Sequence, residues 1–297
     1  MTEALFDRML LRDRRRRAGA LRPATFLLDR VAAELADRLA AVLRHFPLAV
    51  DLGTPGEALR RALAADSRIG TLVAVDSIPD HLPRGGRAVV ADEEALPFRD
   101  GSLDLVVSAL ALHTINDLPG TLAQVRRALK PDGLFLAAVL GGETLTELRQ
   151  AFTIAEAEIT GGAAPRVAPF ADVPTLGLLL QRAGLALPVA DRERVTVRYG
   201  DPLALLRDLR GMGATNVLRD RSRRPLRRGV VVRMAEVYGE RFADADGRVR
   251  ATFEIVWLSG WAPHESQQKP LRPGSAAVRL ADALGTTERS AGEKAGQ

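Results

Sequence analysis

The chain has no cysteine, few aromatic residues and no long apolar run. Without cysteine it has no disulfides, thiolate nucleophiles or zinc–thiolate sites, and a reducing cytoplasm is the expected location. Aromatic residues are only 4% of the 297 residues and do not interleave with the arginines. Stacking on single-stranded nucleic acid is therefore not expected. No apolar run approaches the ~18 residues of a membrane span, so we predict none, and contact with a membrane would be peripheral.

Lysine is also scarce. Of the 42 basic residues only Lys130, Lys269 and Lys294 are lysines, and the rest are arginines. Arginine carries the net charge of +5 and is concentrated in residues 14–17 and 219–228. A basic surface of this kind could contact an acidic protein, an anionic lipid or RNA. A solvated helix face or loop needs no partner, and we favour that interpretation for both clusters.

Short apolar segments alternate with helical patterns between residues 46 and 142. The apolar segments read LAVDLG, TLVAVD, RAVVADEEALPF, SLDLVVSALALH and GLFLAAVLGG. Strands and helices that alternate at this spacing form a parallel, right-handed, doubly wound sheet. We predict an α/β Rossmann-like fold. Its segments are an N-terminal helical part (1–45), a ligand-binding core (46–142), further helices and two strands that complete the same domain (143–284), and a disordered tail (285–297).

Acidic residues follow three consecutive strands of this core. In open α/β sheets the ligand lies beyond the carboxyl ends of the strands. Asp51 and Gly53 end the first strand, where a glycine lets a ligand approach the backbone. Asp76 ends the second strand and suits the two hydroxyls of a ribose, while Asp92 after the third suits an exocyclic amine such as that of adenine. A single acid after a strand is more often a cap or a solvated turn. The prediction of a nucleoside site therefore depends on acids following three consecutive strands.

That order resembles class I S-adenosylmethionine-dependent methyltransferases over residues 46–142. The segment ADEEALPFRDGSLDLVVSALALHTINDLPGTLAQVRRALKPDG is similar to the subgroup that includes the malonyl-carrier-protein methyltransferase of biotin synthesis. The resemblance implies a seven-stranded, mostly parallel sheet with an antiparallel final strand, and S-adenosyl-L-methionine as the cofactor. The residues expected around the cofactor are Asp51, Gly53 and Gly56 for the methionine part, Asp76 for the ribose, and Asp92, Glu93 and Leu96 for the adenine.

Three flanking segments narrow the resemblance to the respiratory complex I assembly-factor family. They read FDRMLLRDRRRRA at the start, DLRGMGATN at 208–216 and GWAPHESQQKPLRPGSA at 260–276. The mitochondrial member of that family is described as hydroxylating an arginine of a quinone-site subunit of complex I. The resemblance therefore implies a protein substrate, expected to be a complex I subunit, met in the cytoplasm or at the inner membrane. The residues expected on the substrate side are Gly211, Met212, Gly213, Asn216, His264 and Glu265.

The loop after the first strand departs from the glycine pattern of the class. Here it reads DLGTPGEAL, so that Pro55 and Glu57 stand at two glycine positions and Gly56 is shifted. Pro55 removes a backbone donor, and Glu57 brings negative charge near the expected position of a ligand carboxylate. Both changes are expected to weaken cofactor binding.

The candidates for chemistry are His113 and Asn116, just past the fourth strand and beside the expected methyl position. His113 could act as a base toward the substrate or be a hydrogen-bonded structural histidine, which we favour. Hydroxylation by non-haem iron would need two histidines and a carboxylate. His264 and Glu265 could meet His113 in space, but no local ligand motif supports this, and we predict no metal site. Residues 211–213 either receive a substrate or simply end a helix.

Three functions stay open from the sequence. The first is an S-adenosylmethionine-dependent enzyme that modifies a protein side chain by methylation or hydroxylation. The second is a non-catalytic assembly scaffold, which the altered glycine loop favours. The third is a carrier-protein or small-molecule methyltransferase, which the resemblance over nearly the whole chain disfavours. The three retained acids, Asp51, Asp76 and Asp92, favour the first.

Overall fold

The computed structural model describes residues 4–20, 23–268, 275 and 278–287. The chain separates into two compact units, residues 1–263 and 264–297. In the described part of the second unit there is one short helix, α9 (Leu280–Leu284). The predicted disordered tail falls almost entirely outside the described residues. The segment boundaries predicted within the first unit stay a prediction.

The first unit is a sheet with helices on both faces. Its strands are β1 (Phe46–Leu52), β2 (Ile69–Asp76), β3 (Ala88–Val90), β4 (Leu103–Ala109), β5 (Leu129–Leu140), β6 (Ala186–Tyr199) and β7 (Val249–Trp261). Its α-helices are α1 (Arg8–Ala20), α2 (Phe26–Ala40), α3 (Ala58–Leu63), α4 (Leu118–Ala128), α5 (Thr146–Thr160), α6 (Val173–Arg182), α7 (Pro202–Gly211) and α8 (Arg228–Phe242). Two short 3₁₀ helices cover Pro79–His81 and Leu112–Thr114.

The strand order is β3-β2-β1-β4-β5-β7-β6. The first five strands in this order run parallel, and β7 is antiparallel to both β5 and β6. This confirms the predicted Rossmann-like fold and its antiparallel final strand. The strand order reverses between β1 and β4, and a crevice opens at the carboxyl edge of such a switch point.

Burial explains why these segments form strands and where the core lies. Strands β1, β4 and β5 are buried on both faces, as their nearly continuous apolar sequence requires. One face of the sheet packs against α2, α3, α5, α7 and α8, and the other against α4 and α6. Trp257 and Trp261 lie on the same face of β7 and pack with the first cluster.

The segment LKPDG forms an irregular start of β5. Residues Leu129 and Lys130 already belong to the strand, and the register shifts opposite Leu103 and Leu105. Asp132 has a positive φ of 64°. Nearby, Asp104 accepts from Leu48 N at 2.9 Å and from Lys130 Nζ at 2.8 Å, so its role is structural.

Helix α1 lies across the carboxyl edge of the sheet and is attached at several points. Phe6, just before it, pairs with Leu218 and packs in a small apolar cluster with Leu11 and Val217. Gly213, with a φ of +70°, follows the end of α7, as the predicted helix cap requires. A Cβ added to Gly213 would lie 3.1 Å from the Cα atom of Arg15, so this glycine also allows α1 to pack closely.

Candidate functional site

A cavity of about 440 Å³ lies beyond the carboxyl ends of the central strands. Its floor is formed by the loop after β1, the 3₁₀ helix after β2, the residues after β4 and the end of β5. Helix α1, the start of α2 and residues 209–217 cover it. The size falls within the range of roughly 300–1,000 Å³ that is typical of small-molecule sites. The fold therefore places a ligand-sized space at this edge of the sheet. Of the residues predicted around the cofactor, Gly56 lines this space, and Asp51, Gly53, Asp76, Asp92, Glu93 and Leu96 do not.

The β1 edge has the buried acid and the turns that were predicted. Asp51 is buried, and its Oδ2 accepts from Arg60 Nη1 at 2.9 Å, while Oδ1 has no hydrogen-bond partner. Burial raises the pKa of this carboxyl to about 6, against the opposing effects of Thr54 and Arg60. Gly53 and Gly56 adopt φ values of +71° and +68°, which only glycine adopts without strain.

Asp76, the acid expected to hold a ribose, is already engaged by its own loop. Its carboxylate accepts from Ile78 N at 2.7 Å and lies 3.1 Å from His81 Nδ1. The 3₁₀ helix Pro79–His81 brings the imidazole back over the strand end. A ribose at this position would compete with His81 for the carboxylate.

Asp92 and Glu93, expected at the adenine, are engaged by arginines of α1. Arg8 pairs with Asp92 at 2.9 Å and also contacts Glu93 Oε2, while Arg12 pairs with the other oxygen of Asp92. Glu93 is only 1% exposed. A Cβ added to Gly53 would lie 2.8 Å from Glu93 Oε1. The ion-paired carboxylate of Glu93 thus lies against the first glycine of the loop.

The interpretation of the first arginine cluster as a solvated helix face was wrong in one respect. Arg16 and Arg17 are exposed, but Arg15 is buried at 8% exposure. Residues 8, 12 and 15 are spaced i, i+4 and i+7, so they share the face of α1 that lies toward the site. That spacing was the signal in the sequence that could have revealed them. The second cluster is exposed over residues 223–228, as a solvated loop should be.

Three polar groups on the cavity wall lack partners in the described part of the chain. The Arg15 side chain makes no hydrogen bond or ion pair there. His113 Nδ1 and Thr215 Oγ1 are buried without a hydrogen bond. The His113 ring meets Phe170 edge-on, with 5.5 Å between the centroids. Buried groups of this kind indicate a ligand or water that would complete their bonding.

His113 Nδ1 has no hydrogen-bond partner among the described residues, which does not support the favoured interpretation as a hydrogen-bonded structural histidine. Burial and the neighbouring charge of Arg15 lower its pKa to about 3. The imidazole is therefore neutral at physiological pH and a poor base. Its assignment as a catalytic residue stays a prediction.

Asn116 contacts the N-terminal segment rather than the cavity. Its Oδ1 accepts from Phe6 N at 2.7 Å and its Nδ2 donates to Phe6 O at 3.2 Å. Its backbone N–H donates to Glu94 Oε1 at 2.6 Å. Leu96, expected over the adenine ring, is half-buried, and its backbone N–H donates to Gln124 Oε1 at 3.0 Å. Both residues hold the edge of the site together.

The predicted substrate-side residues divide between the two compact units. Gly211, Met212, Gly213 and Asn216 all line the cavity, so the structure brings this set together. His264 and Glu265 belong to the second unit, where His264 Nδ1 lies 2.7 Å from Ser266 Oγ. Within the described residues, no group of three or more histidine, aspartate or glutamate side chains could hold a metal ion.

The fold and site define a class of protein, and comparisons with known proteins agree. Residues 50–137 match the methyltransferase domain family. A putative methyltransferase from Bacillus halodurans superposes with a TM-score of 0.54 at 16% identity, covering 78% of this chain and 99% of that one. The YcgJ protein of Bacillus subtilis gives 0.53 at 15% identity, covering 78% and 98%. The chain is a class I methyltransferase-fold protein, and S-adenosyl-L-methionine is its cofactor.

Similarity over nearly the whole chain identifies the family. The protein named arginine-hydroxylase NDUFAF5, mitochondrial, from Danio rerio is 40% identical over 287 residues, covering 94% of this chain and 89% of that protein. The human protein of that name is 39% identical, covering 94% and 83%. The malonyl-[acyl-carrier protein] O-methyltransferase of Laribacter hongkongensis is 37% identical, covering 92% and 96%. The chain belongs to the family of the NDUFAF5 arginine-hydroxylases.

The residues present fit this cofactor at one end of the site. The unpartnered His113 Nδ1 and Thr215 Oγ1 atoms and the turn at Gly56 suit a ligand with a polar amino-acid end. At the nucleoside end the Glu93 side chain lies against Gly53 and is paired with Arg8.

We predict that Arg8→Met lowers the free energy of unfolding by about 3–5 kcal/mol, because it leaves the Glu93 carboxylate buried without its cation. The double variant Arg8→Met/Glu93→Gln should recover much of this loss. Arg16→Met serves as the control, since its pairs are exposed and are expected to contribute under ~1 kcal/mol. Urea denaturation of the four proteins measures these values. Equal losses for the single and double variants would show that the pair does not hold α1 in place.

We predict that His113 makes folding sensitive to acid. Its pKa is lowered in the folded state, so the stability it contributes is complete above the unfolded value of about 6.5 and is lost as the pH falls toward about 3. Between pH 7 and pH 5 the parent should lose about 1–2 kcal/mol relative to His113→Gln. Chemical denaturation at both pH values measures the difference, with exposed His264→Gln as the control. Parallel curves for parent and His113→Gln would contradict the prediction.

Proposed function

We propose that this protein is an S-adenosylmethionine-dependent enzyme that modifies a side chain of a protein substrate, with a respiratory complex I subunit as the expected substrate. The observation that carries the proposal is the family match at 40% identity over 94% of the chain. It covers the substrate-side residues around the cavity as well as the cofactor core. Arginine hydroxylation is the reaction named for those relatives, and methylation is the reaction named for the domain.

The described residues have the following roles in this proposal. Asp51 and the glycines of the β1 loop would line the methionine part of the cofactor, and Asp76 its ribose. Bound there, the cofactor supplies an electrophilic methyl group on a sulfonium sulfur. The apolar wall of the cavity excludes water from the reacting groups. Neutral His113 can accept a hydrogen bond at Nδ1 and so orient a donor on the substrate.

The predicted location follows the expected substrate. Among the described helices, none is long and apolar enough to cross a bilayer. We propose a cytoplasmic protein that meets its substrate at the surface of the inner membrane, with no role in nucleic-acid binding.

We predict micromolar binding of S-adenosylmethionine, lost in Asp76→Asn because the ribose would lose its carboxylate partner. Isothermal calorimetry with the full chain tests this, and Asp100→Asn is the control, as an exposed acid that pairs with Arg127. Heat from the parent and the control, but not from Asp76→Asn, supports the nucleoside site. An absence of heat with the parent protein would remove both enzyme proposals and leave the scaffold.

We predict that deletion of the gene leaves one arginine-bearing complex I subunit lighter than in the parent strain. Intact-mass analysis should show a deficit of one oxygen atom if the reaction is hydroxylation, or of one methylene group if it is methylation. Complementation with the parent sequence should restore the mass, and Asp76→Asn should not. An unchanged subunit in a strain whose complex I fails to assemble would contradict modification and favour a scaffold.

Two alternatives have observations of their own. A carrier-protein or small-molecule O-methyltransferase is favoured by the 37% identity with the malonyl-[acyl-carrier protein] enzyme and by the buried cation Arg15 in the cavity. A non-catalytic complex I assembly scaffold is favoured by Pro55 and Glu57 in the β1 loop and by Glu93 lying against Gly53. Methylation of a malonyl thioester in vitro would support the first of these.

A further inference from the structure

Arg15 presents a positive charge, unpaired among the described residues, to a mainly apolar cavity. Its side chain is 8% exposed and lines the cavity. No described residue offers it a hydrogen bond or an ion pair, whereas Arg8 and Arg12 on the same helix face are both paired. A buried charge without a counter-ion is costly. An anion in the cavity would remove that cost.

The position of Arg15 is fixed by the backbone. The turn at Gly213 lies against its Cα atom, and Phe6 ties the start of α1 to residues 217 and 218. The two acids whose charges act on Arg15 are Glu93 and Asp76. They are held by Arg8 and His81 respectively, and neither lies within ion-pair distance of Arg15. The backbone of Arg15 is therefore fixed beside the cavity, and its guanidinium has no hydrogen-bond or ion-pair partner among the described residues.

The remaining polar groups of the cavity define the kind of ligand. Thr215 Oγ1 and His113 Nδ1 are the other unpartnered atoms, and most of the rest of the wall is apolar. Two exposed acids, Glu57 and Asp80, also line the cavity. A guanidinium recognises a carboxylate through two parallel hydrogen bonds. The cavity suits a carboxylate on a mainly apolar body.

We propose that Arg15 binds the carboxylate of the ligand that occupies this cavity. The inference rests on the proposed function, in which the cavity holds the reacting molecules. Two molecules could bring the carboxylate: the cofactor, through its amino-acid end, or an acyl substrate. In either case a cationic substrate side chain is repelled from Arg15, so an arginine substrate would be received beside Glu57 and Asp80.

The test combines a substitution with a truncated ligand. S-adenosylhomocysteine contains the carboxylate, and 5′-methylthioadenosine shares the nucleoside thioether but lacks the amino-acid end. Calorimetry compares both ligands, and malonyl-pantetheine as the acyl probe, on the full chain with Arg15→Met, Arg15→Lys and, as the control, Arg17→Met at an exposed position away from the cavity. Loss of a bidentate charged pair is expected to weaken binding by about 10–100-fold.

If the cofactor brings the carboxylate, Arg15→Met weakens the binding of S-adenosylhomocysteine by that factor and leaves the binding of 5′-methylthioadenosine unchanged. Arg15→Lys then restores part of the affinity for S-adenosylhomocysteine. If an acyl substrate brings it, the loss is confined to malonyl-pantetheine. Equal loss for S-adenosylhomocysteine and 5′-methylthioadenosine, or no loss for any ligand, overturns the inference.

The proposed function can fail separately. If the parent protein binds neither nucleoside, that function is wrong, and the malonyl-pantetheine measurement alone then decides the role of Arg15: weaker binding to Arg15→Met supports it, and unchanged or absent binding overturns it. Thermal unfolding checks the variants. Arg15→Met should be at least as stable as the parent, because it removes an unpaired buried charge. A destabilised Arg15→Met whose ligand loss Arg15→Lys does not restore counts against the inference.

Discussion

An ion-paired cluster attaches the inner face of α1 to the carboxyl edge of the sheet, in addition to the contacts that Phe6 makes. Arg8 lies between Asp92 and Glu93, and Arg12 takes the second oxygen of Asp92. Because Glu93 is almost fully buried, its charge can stay there only while a cation remains beside it. The position of α1 in turn closes the cavity, places Arg15 on its wall and brings Phe6 against Asn116.

The same cluster stands where a nucleoside belongs in this fold. Glu93 lies on Gly53, and His81 lies on Asp76. Each carboxylate that could bind an adenosine is thus already paired with a basic side chain of this protein. A cofactor that used these carboxylates would compete with the basic side chains that hold them. The altered β1 loop and these internal pairs are both expected to lower the affinity for the cofactor.

The charge inside the cavity bears on the choice between the proposed reactions. The relatives that match over most of the chain are named for arginine hydroxylation or for methylation of a malonyl carrier protein. These names imply a cationic and an anionic substrate group respectively. A buried arginine at the cavity wall attracts an anionic substrate group and repels a cationic one, so its charge distinguishes the two reactions. Asp51, with its pKa raised to about 6 by burial, adds little negative charge at acidic pH.

The sequence by itself determined the fold, because strand and helix periodicities, the order of the acids and the glycine turns are local properties. It predicted the sheet and the capped end of α7 from neighbouring residues alone. Only the tertiary structure decided which charges meet. Asp92 and Glu93 are about 80 residues from Arg8 and Arg12 in the chain, so no local pattern could show that α1 covers the acids. Nor could it show that Arg15 is buried, since its neighbours Arg16 and Arg17 are exposed: burial depends on what a helix face packs against, and that is set by the fold.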